Sequence, residues 1–425
     1  MRSCLVAILA VTAATLFAQA PARVTVNAGA PANLRVIWVL QPDGRLLMYD
    51  AEQFRSWQGM KLPADARKNP ESISISRSRV VLYAYPPDGR TALRRYWSSN
   101  AYAPELVGGA WDQRPASGGG FSLLEATPAL YFSSDGQSLF WFEHRQQSLV
   151  RGGADITRDA RFLAWTTDLK GDNPRQVAQF TLPPCKCETG VCSESCPEAD
   201  AWAPDSGVSD FFFVTRWVPG QIGSRYEETS LYQKSGEAWT PRKLPDPVER
   251  FLDAADHGNV YIEAVPDGGC CGWANESDDI TYVVRGDKAV AIFDERRRFN
   301  NNNYDVSFFT AAAAFSPGLD RVAYTITGNL QPNEEIRLSD GGKPSPDELK
   351  AIKQAMTELP RTEAVALSAP EHPVISLPNT ELIGWLDGQR LLVLKSGELQ
   401  AVDAASGKIT PTGIKADAPK YVFLR

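Results

Sequence analysis

Runs of alternating bulky apolar residues are interrupted along this chain by short polar turns, and the interruption itself recurs. In Leu130 to Phe142 an apolar strand enters Ser133-Ser134-Asp135-Gly136 and leaves as Leu139-Phe140-Trp141-Phe142. Trp202 to Val214 has the same order around Asp205-Ser206-Gly207, and Ile383 to Val393 has it around Asp387-Gly388. Phe315 to Tyr324 exchanges the two, with Gly318 before Asp320, and fainter copies surround Asp43-Gly44 and Asp256-His257-Gly258. β-Branched and aromatic residues at alternate positions suit pleated strands. Asp-Gly supplies the chemistry of a tight antiparallel turn. A second phrase, a strand followed by a polar turn with glycine, trails the first in Phe162 to Val177, Leu231 to Thr240 and Leu399 to Ile409. Two hairpins make a four-stranded sheet. Such units, repeated every ~40–60 residues, predict an all-β fold, a single β-propeller.

The units fall at 24–67, 68–120, 121–184, 197–247, 248–300, 301–379 and 380–425. About seven four-stranded blades are therefore expected, or six if 68–120, which rests on Val80 to Tyr85 and Asp88-Gly89, is not a blade. A ring must close without an open edge. The expected closure pairs Arg23 to Asn27 with the last blade, with Tyr421 to Leu424 as a strand near that seam. A short helical insertion is expected near 345–358. There Ser345 caps, Pro346 takes the first helical position, Glu348 completes a capping box, and Leu349, Ile352 and Met356 share a face. The repeated phrase resembles the motif of the TolB-like, WD40-like (PD40) propeller family: an aromatic residue, Ser-Pro-Asp-Gly, then an aliphatic-x-aromatic strand. The Ser-Pro pair is whole only at Ser316-Pro317. The resemblance implies the fold. It implies little about function, because propellers host many.

Composition adds an address and some exclusions. Arg2, the apolar run Leu5 to Phe17 and Ala18-Gln19-Ala20 read as a signal peptide over residues 1–20, with Ala20-Pro21-Ala22 as a rival cleavage site. The run falls short of the ~20 residues that span a bilayer, so a periplasmic or secreted chain without an integral membrane segment is expected. The net charge is −7. Without Arg2, 43 basic residues face 51 acidic ones, a net of −8. That balance argues against nucleic acid or anionic lipid as partner. Arg296-Arg297-Arg298 reads as a solvated loop, and Glu227-Glu228 as a hairpin tip.

Candidate chemistry is sparse. The chain has three histidines, far apart, and no P-loop, dinucleotide fingerprint, nucleophile elbow or His-Glu-x-x-His, so no cofactor and no metal are expected. Cys185, Cys187, Cys192 and Cys196 crowd one polar loop, and Cys270-Cys271 are adjacent. In an exported chain these six favour disulfides, within the loop plus a vicinal pair, or between the two regions. Zinc or an iron–sulfur cluster is the rival reading. The segment 267–279 joins Trp273 to Asp267, Glu276, Asp278 and Asp279, an aromatic beside carboxylates that suits a sugar, a cation or a peptide. A solvated acidic loop is the plain alternative. The expectation is a scaffold binding a protein, peptide or glycan on a propeller face without catalysis. The rival is an exported propeller enzyme of glycosidase or lyase type, which needs two opposed carboxylates.

Overall fold

A computed structural model of the chain describes residues 22–25, 35–62, 66–68, 70, 73–75, 80–83, 93–98, 102–107, 110–115, 121–126, 131–133, 138–151, 154–168, 175–181, 199–203, 210–219, 225–244, 248, 250–266, 279–299, 306–330, 336–338 and 342–425. The fold is an all-β propeller. Its first blade has strands Tyr131–Phe132, Ser138–Arg151, Ala154–Asp168 and Arg175–Thr181. The second has Ala199–Trp202, Phe211–Pro219, Arg225–Ser235 and Ala238–Lys243. The third has Arg250–Ala255, Val260–Pro266, Asp279–Arg285 and Lys288–Asp294. The fourth has Val306–Phe315, Arg321–Leu330, Arg361–Ala366 and Ala369–Pro378. The fifth has Glu381–Trp385, Arg390–Lys395, Glu398–Asp403 and Ile409–Lys415. Each is an antiparallel meander of consecutive strands.

Among the described residues there are five such blades, which corrects the expectation of seven, or six. The stretch 68–126 forms smaller sheets instead. Ile73–Ile75 and Val80–Tyr83 join Ala22–Thr25, Leu93–Ser98 pairs with Phe121–Ala126, and Tyr102–Val107 pairs with Ala110–Pro115. Pro86-Pro87, Arg94-Arg95 and Gly118-Gly119-Gly120 interrupt the sequence alternation there, and among the described residues of that stretch no four strands pair into one sheet. The closure also differs. Ala22–Thr25 pairs with Val80–Tyr83, and the C-terminal strand Val422–Leu424 instead pairs with Val36–Leu40. With Arg45–Asp50 and Ser56–Lys61 these make a composite sheet that joins the two ends of the chain.

The core lies between neighbouring blades. Strand Val306–Phe315 shows why: Val306, Phe308 and Thr310 are buried, a bulge follows, and burial resumes at Ala313 and Phe315. Those apolar side chains pack with Ile262, Val283 and Phe293 of the third blade. The helix Pro346–Thr357 carries the full capping box, with Glu348 N–H donating to Ser345 Oγ and Ser345 N–H to Glu348 Oε2. Its buried Ile352 and its Met356 extend the same cluster.

Buried threonines repeat at the seams. Thr229, Thr281 and Thr362 each sit in the third strand of their blade. Each bonds the chain entering the next blade: Val248 N–H donates to Thr229 Oγ1 at 3.2 Å, Thr281 Oγ1 to Thr310 Oγ1 at 2.9 Å, and Thr362 Oγ1 to Thr380 O at 3.0 Å. A threonine satisfies a buried polar partner while keeping the β-branched shape that a strand favours.

Candidate functional site

The two faces of the disc differ. The turns joining first to second and third to fourth strands open on one face, here the turn face. In four blades these two turns bond each other. Lys234 N–H donates to Asp210 O (2.6 Å), Gly286 N–H to Asn259 O (3.2 Å), Leu367 N–H to Asp320 O (2.9 Å) and Ala404 N–H to Gln389 O (2.8 Å). The connections from second to third strands, and from blade to blade, open on the opposite face, here the loop face. The longest gaps between strand ends lie there: Thr181 to Ala199, Pro266 to Asp279 and Leu330 to Arg361.

Three aspartates of the turn face, Asp387, Asp320 and Asp403, are engaged by their own turns. Asp387 Oδ1 accepts from Gln389 N–H and Arg390 N–H, both at 2.7 Å, and Oδ2 accepts from Arg390 Nε. Partial burial raises the Asp387 pKa, but these bonds outweigh burial and hold it below the usual carboxylate value. Asp320 Oδ1 accepts from Ser316 Oγ, and Asp403 Oδ1 from Ser406 Oγ and Ser406 N–H. At Asp387-Gly388 the aspartate side chain closes the turn, whereas Gly44 and Gly258 do take left-handed φ, 82° and 81°. The repeated phrase is thus a folding device.

The innermost strands line the middle of the ring, and their polar groups bridge blades. Asp253 Oδ2 accepts from Phe315 N–H (2.8 Å) and Oδ1 from Ala254 N–H (2.8 Å). Arg250 Nη2 donates to Thr310 O (2.7 Å), and its guanidinium lies 5.9 Å from the Phe309 ring centre. Glu381 opens the fifth blade's inner strand, and burial raises its carboxyl above the ordinary value.

Two further polar groupings escaped the sequence reading. Glu363 is fully buried in the fourth blade. It accepts from Arg298 Nη2 at 2.7 Å and from Ser376 Oγ at 3.1 Å, with the Tyr324 hydroxyl 3.1 Å from its other oxygen. Arg298 belongs to a short helix, Glu295–Phe299, so the basic run is helical rather than a loop, and Arg297 pairs with Asp294. The second is His257, whose Nδ1 meets Asp210 Oδ2 of the neighbouring blade. No motif signals either grouping, since the partners are 13 to 65 residues apart in one case and 47 in the other.

Asp267, Trp273, Glu276 and Asp278 lie outside the described residues, as do Cys185, Cys187, Cys192, Cys196, Cys270 and Cys271. Asp279 opens the third strand of the third blade, its backbone opposite Pro266. Glu227 and Glu228 are inside a strand, opposite Trp217 and Arg216, not at a tip. The three histidines stand in three different blades. Among the described residues, no group of three or more His, Cys, Asp or Glu is placed to hold a metal ion, and no helix is long and apolar enough to cross a membrane.

No protein-family model matches the chain, and no curated protein matches it in sequence. Solved structures of similar shape include an acylaminoacyl peptidase of Pyrococcus horikoshii at 13% identity and TM-score 0.39, covering 87% of this chain and 47% of that one. TolB from Acinetobacter baumannii is similar at 13% identity and TM-score 0.28, covering 73% of this chain and 63% of that one. Apo AztD from Citrobacter koseri is similar at 11% identity and TM-score 0.34, covering 92% and 98%. The chain thus spans about half the length of the peptidase and under two thirds of TolB.

Proposed function

We propose that this chain is an exported propeller scaffold whose loop face binds a protein, peptide or glycan, with no chemistry done on the ligand. The asymmetry of the faces carries the reading. The turn-face aspartates Asp387, Asp320 and Asp403 are spent on their own turns, while the strand ends flanking 182–198 and 267–278 open together on the loop face. Long connections on a rigid scaffold are where binding residues concentrate. Trp273 with Asp267, Glu276, Asp278 and Asp279 is the proposed ligand-binding group, and the cysteines of 185–196 and 270–271 the proposed disulfide staples. Asp253 supports binding over catalysis, because both its oxygens tie backbone.

Glu381 favours a second reading, carboxylate catalysis, because burial raises its carboxyl toward the protonated form a general acid needs. One comparison separates the two. Glycan and peptide arrays are probed with the mature wild type and with Trp273→Ala, and a panel of chromogenic glycosides is incubated with wild type and Glu381→Gln. Array signals that fall at least about tenfold in Trp273→Ala support the scaffold. Signals unchanged in that variant remove the 267–279 segment as the binding site. Turnover that Glu381→Gln abolishes replaces the scaffold with the enzyme.

A further inference from the structure

The turn between the first two strands of the third blade is unusual. Asp256, His257 and Gly258 all take left-handed φ, at 49°, 56° and 81°. For residues with a Cβ that conformation costs ~1–2 kcal/mol each, and it persists only where surrounding contacts enforce it. Here the contacts come from the second blade. His257 Nδ1 meets Asp210 Oδ2, and Gln233 Nε2 donates to His257 O at 3.0 Å and lies 3.4 Å from Asn259 Oδ1. Beneath them a Cβ on Gly258 would stand 2.7 Å from Leu231 Cδ1 and 2.9 Å from Phe211 Cδ2, so the turn is seated closely on the second blade.

We propose that Asp210 and His257 form a proton-set latch that closes the second blade onto the third at the turn face. Protonated, His257 is a cation donating to a carboxylate. Neutral, it donates at most one hydrogen bond without a charge of its own, which is weaker. The geometry makes His257 responsive, since its side chain is 69% exposed and its partner 29%. The bond from Asp210, then its charge, then that of Asp256, raise the His257 pKa above the ordinary 6.5 against slight burial. Among charged residues on the elements packed around the turn, Asp210, Asp256 and Lys234 are adjacent in sequence or pairing. Arg285 and Asp287 lie at the neighbouring turn, where Arg285 donates to Leu319 O. Arg250, Asp253 and Glu263 lie further along the third blade's strands, and Arg216, Arg225, Glu227 and Glu228 toward the far ends of the second blade's.

A pKa raised in the folded state adds stability in full below the unfolded value. That stability is lost as pH rises through the folded value. The latch is therefore closed in mild acid and released from 6.5 upward. Proton NMR of the wild-type chain follows the His257 ring signal, with His144 and His372 as internal references. In parallel, thermal unfolding of wild type, His257→Asn and Asp210→Asn is compared between about pH 5 and 8. Asparagine tolerates left-handed φ, so the turn is retained. The expected results are a His257 midpoint above 6.5 that falls in Asp210→Asn, and a wild-type Tm advantage of about 1–2 °C at low pH that vanishes as pH rises. A His257 midpoint at or below 6.5, or a Tm difference flat with pH, overturns the latch.

Discussion

The seam between the second and third blades and the seam between the third and fourth are built from the same repeat but held by different forces. Rings dominate the first. Phe213 and Phe251 lie 4.0 Å apart between centres, Trp202 stacks on Phe251 at 5.3 Å, and Tyr261 meets Phe213 edge-on at 5.4 Å. Its charged contact, Asp210–His257, sits at the solvent edge. Polar bonds cross the second from end to end: Asp253 to Phe315 N–H, Arg250 to Thr310 O, Glu295 to Phe308 N–H, and Arg298 to the buried Glu363. Apolar burial is nondirectional, while a buried carboxylate needs its donors in place. The third blade thus meets the fourth through several directional polar bonds, and its contact with the second includes one that depends on pH.

Arg298→Ala is expected to do the most damage. It strips a fully buried carboxylate of its nearest cation, leaving Arg361 at 3.8 Å. Breaking one side of a buried pair costs ~3–5 kcal/mol. Adding Glu363→Gln to that variant removes the stranded charge, and a recovery of ~1–3 kcal/mol is expected from the coupling. Denaturant unfolding measures both. A single variant within ~0.5 kcal/mol of wild type would erase the contrast between the seams.

Gly258→Ala comes next and tests the other seam. The new methyl group would collide with Leu231 and Phe211 of the second blade while the backbone keeps a φ of 81°. Left-handed strain of ~1–2 kcal/mol and overpacking of ~1–3 kcal/mol give an expected loss of ~2–5 kcal/mol. Hydrogen exchange should show protection falling on both sides of this seam before the fourth blade. Uniform loss across the chain would mean that the seams do not act separately.

The repeated hairpins were legible because the turns need Asp, Ser and Gly locally and the strands need alternation, both of which one sequence displays. The helix was legible for the same reason: Ser345, Pro346 and Glu348 act within one turn of chain. Blade number was not. Asp88-Gly89 looks like the turn of another unit, but a blade also requires four apolar faces in register, and the strands of 68–126 find partners in twos and threes. Closure was misplaced for a related reason. Ala22–Thr25 and Val422–Leu424 are both short strands that could finish a sheet, and only long-range pairing decides which does. The threonines at the seams were hidden because, in a strand, Thr229, Thr281 and Thr362 look like any other β-branched residue. Sites built by pairs such as Arg298–Glu363 leave no spacing to read.

Tyr324→Phe is the mildest change and separates the hydroxyl's part from the charge's. The hydroxyl lies 3.1 Å from Ile292 O of the third blade and 3.1 Å from Glu363, so its single hydrogen serves one of two acceptors across the seam. Its loss is expected to cost ~1 kcal/mol at neutral pH, the net worth of one buried bond. Alkaline pH gives the sharper signal. Burial, and then the Glu363 charge and bond, lift the Tyr324 pKa well above 10.0. The unfolded chain therefore releases this proton first, and stability present below pH 10.0 declines as pH rises past it. Phenylalanine has no such proton, so the gap between wild type and variant should narrow above that pH. A gap near zero at every pH would place the tyrosine's contribution in its ring alone, and the third–fourth seam would then owe less to polar bonds than its geometry implies.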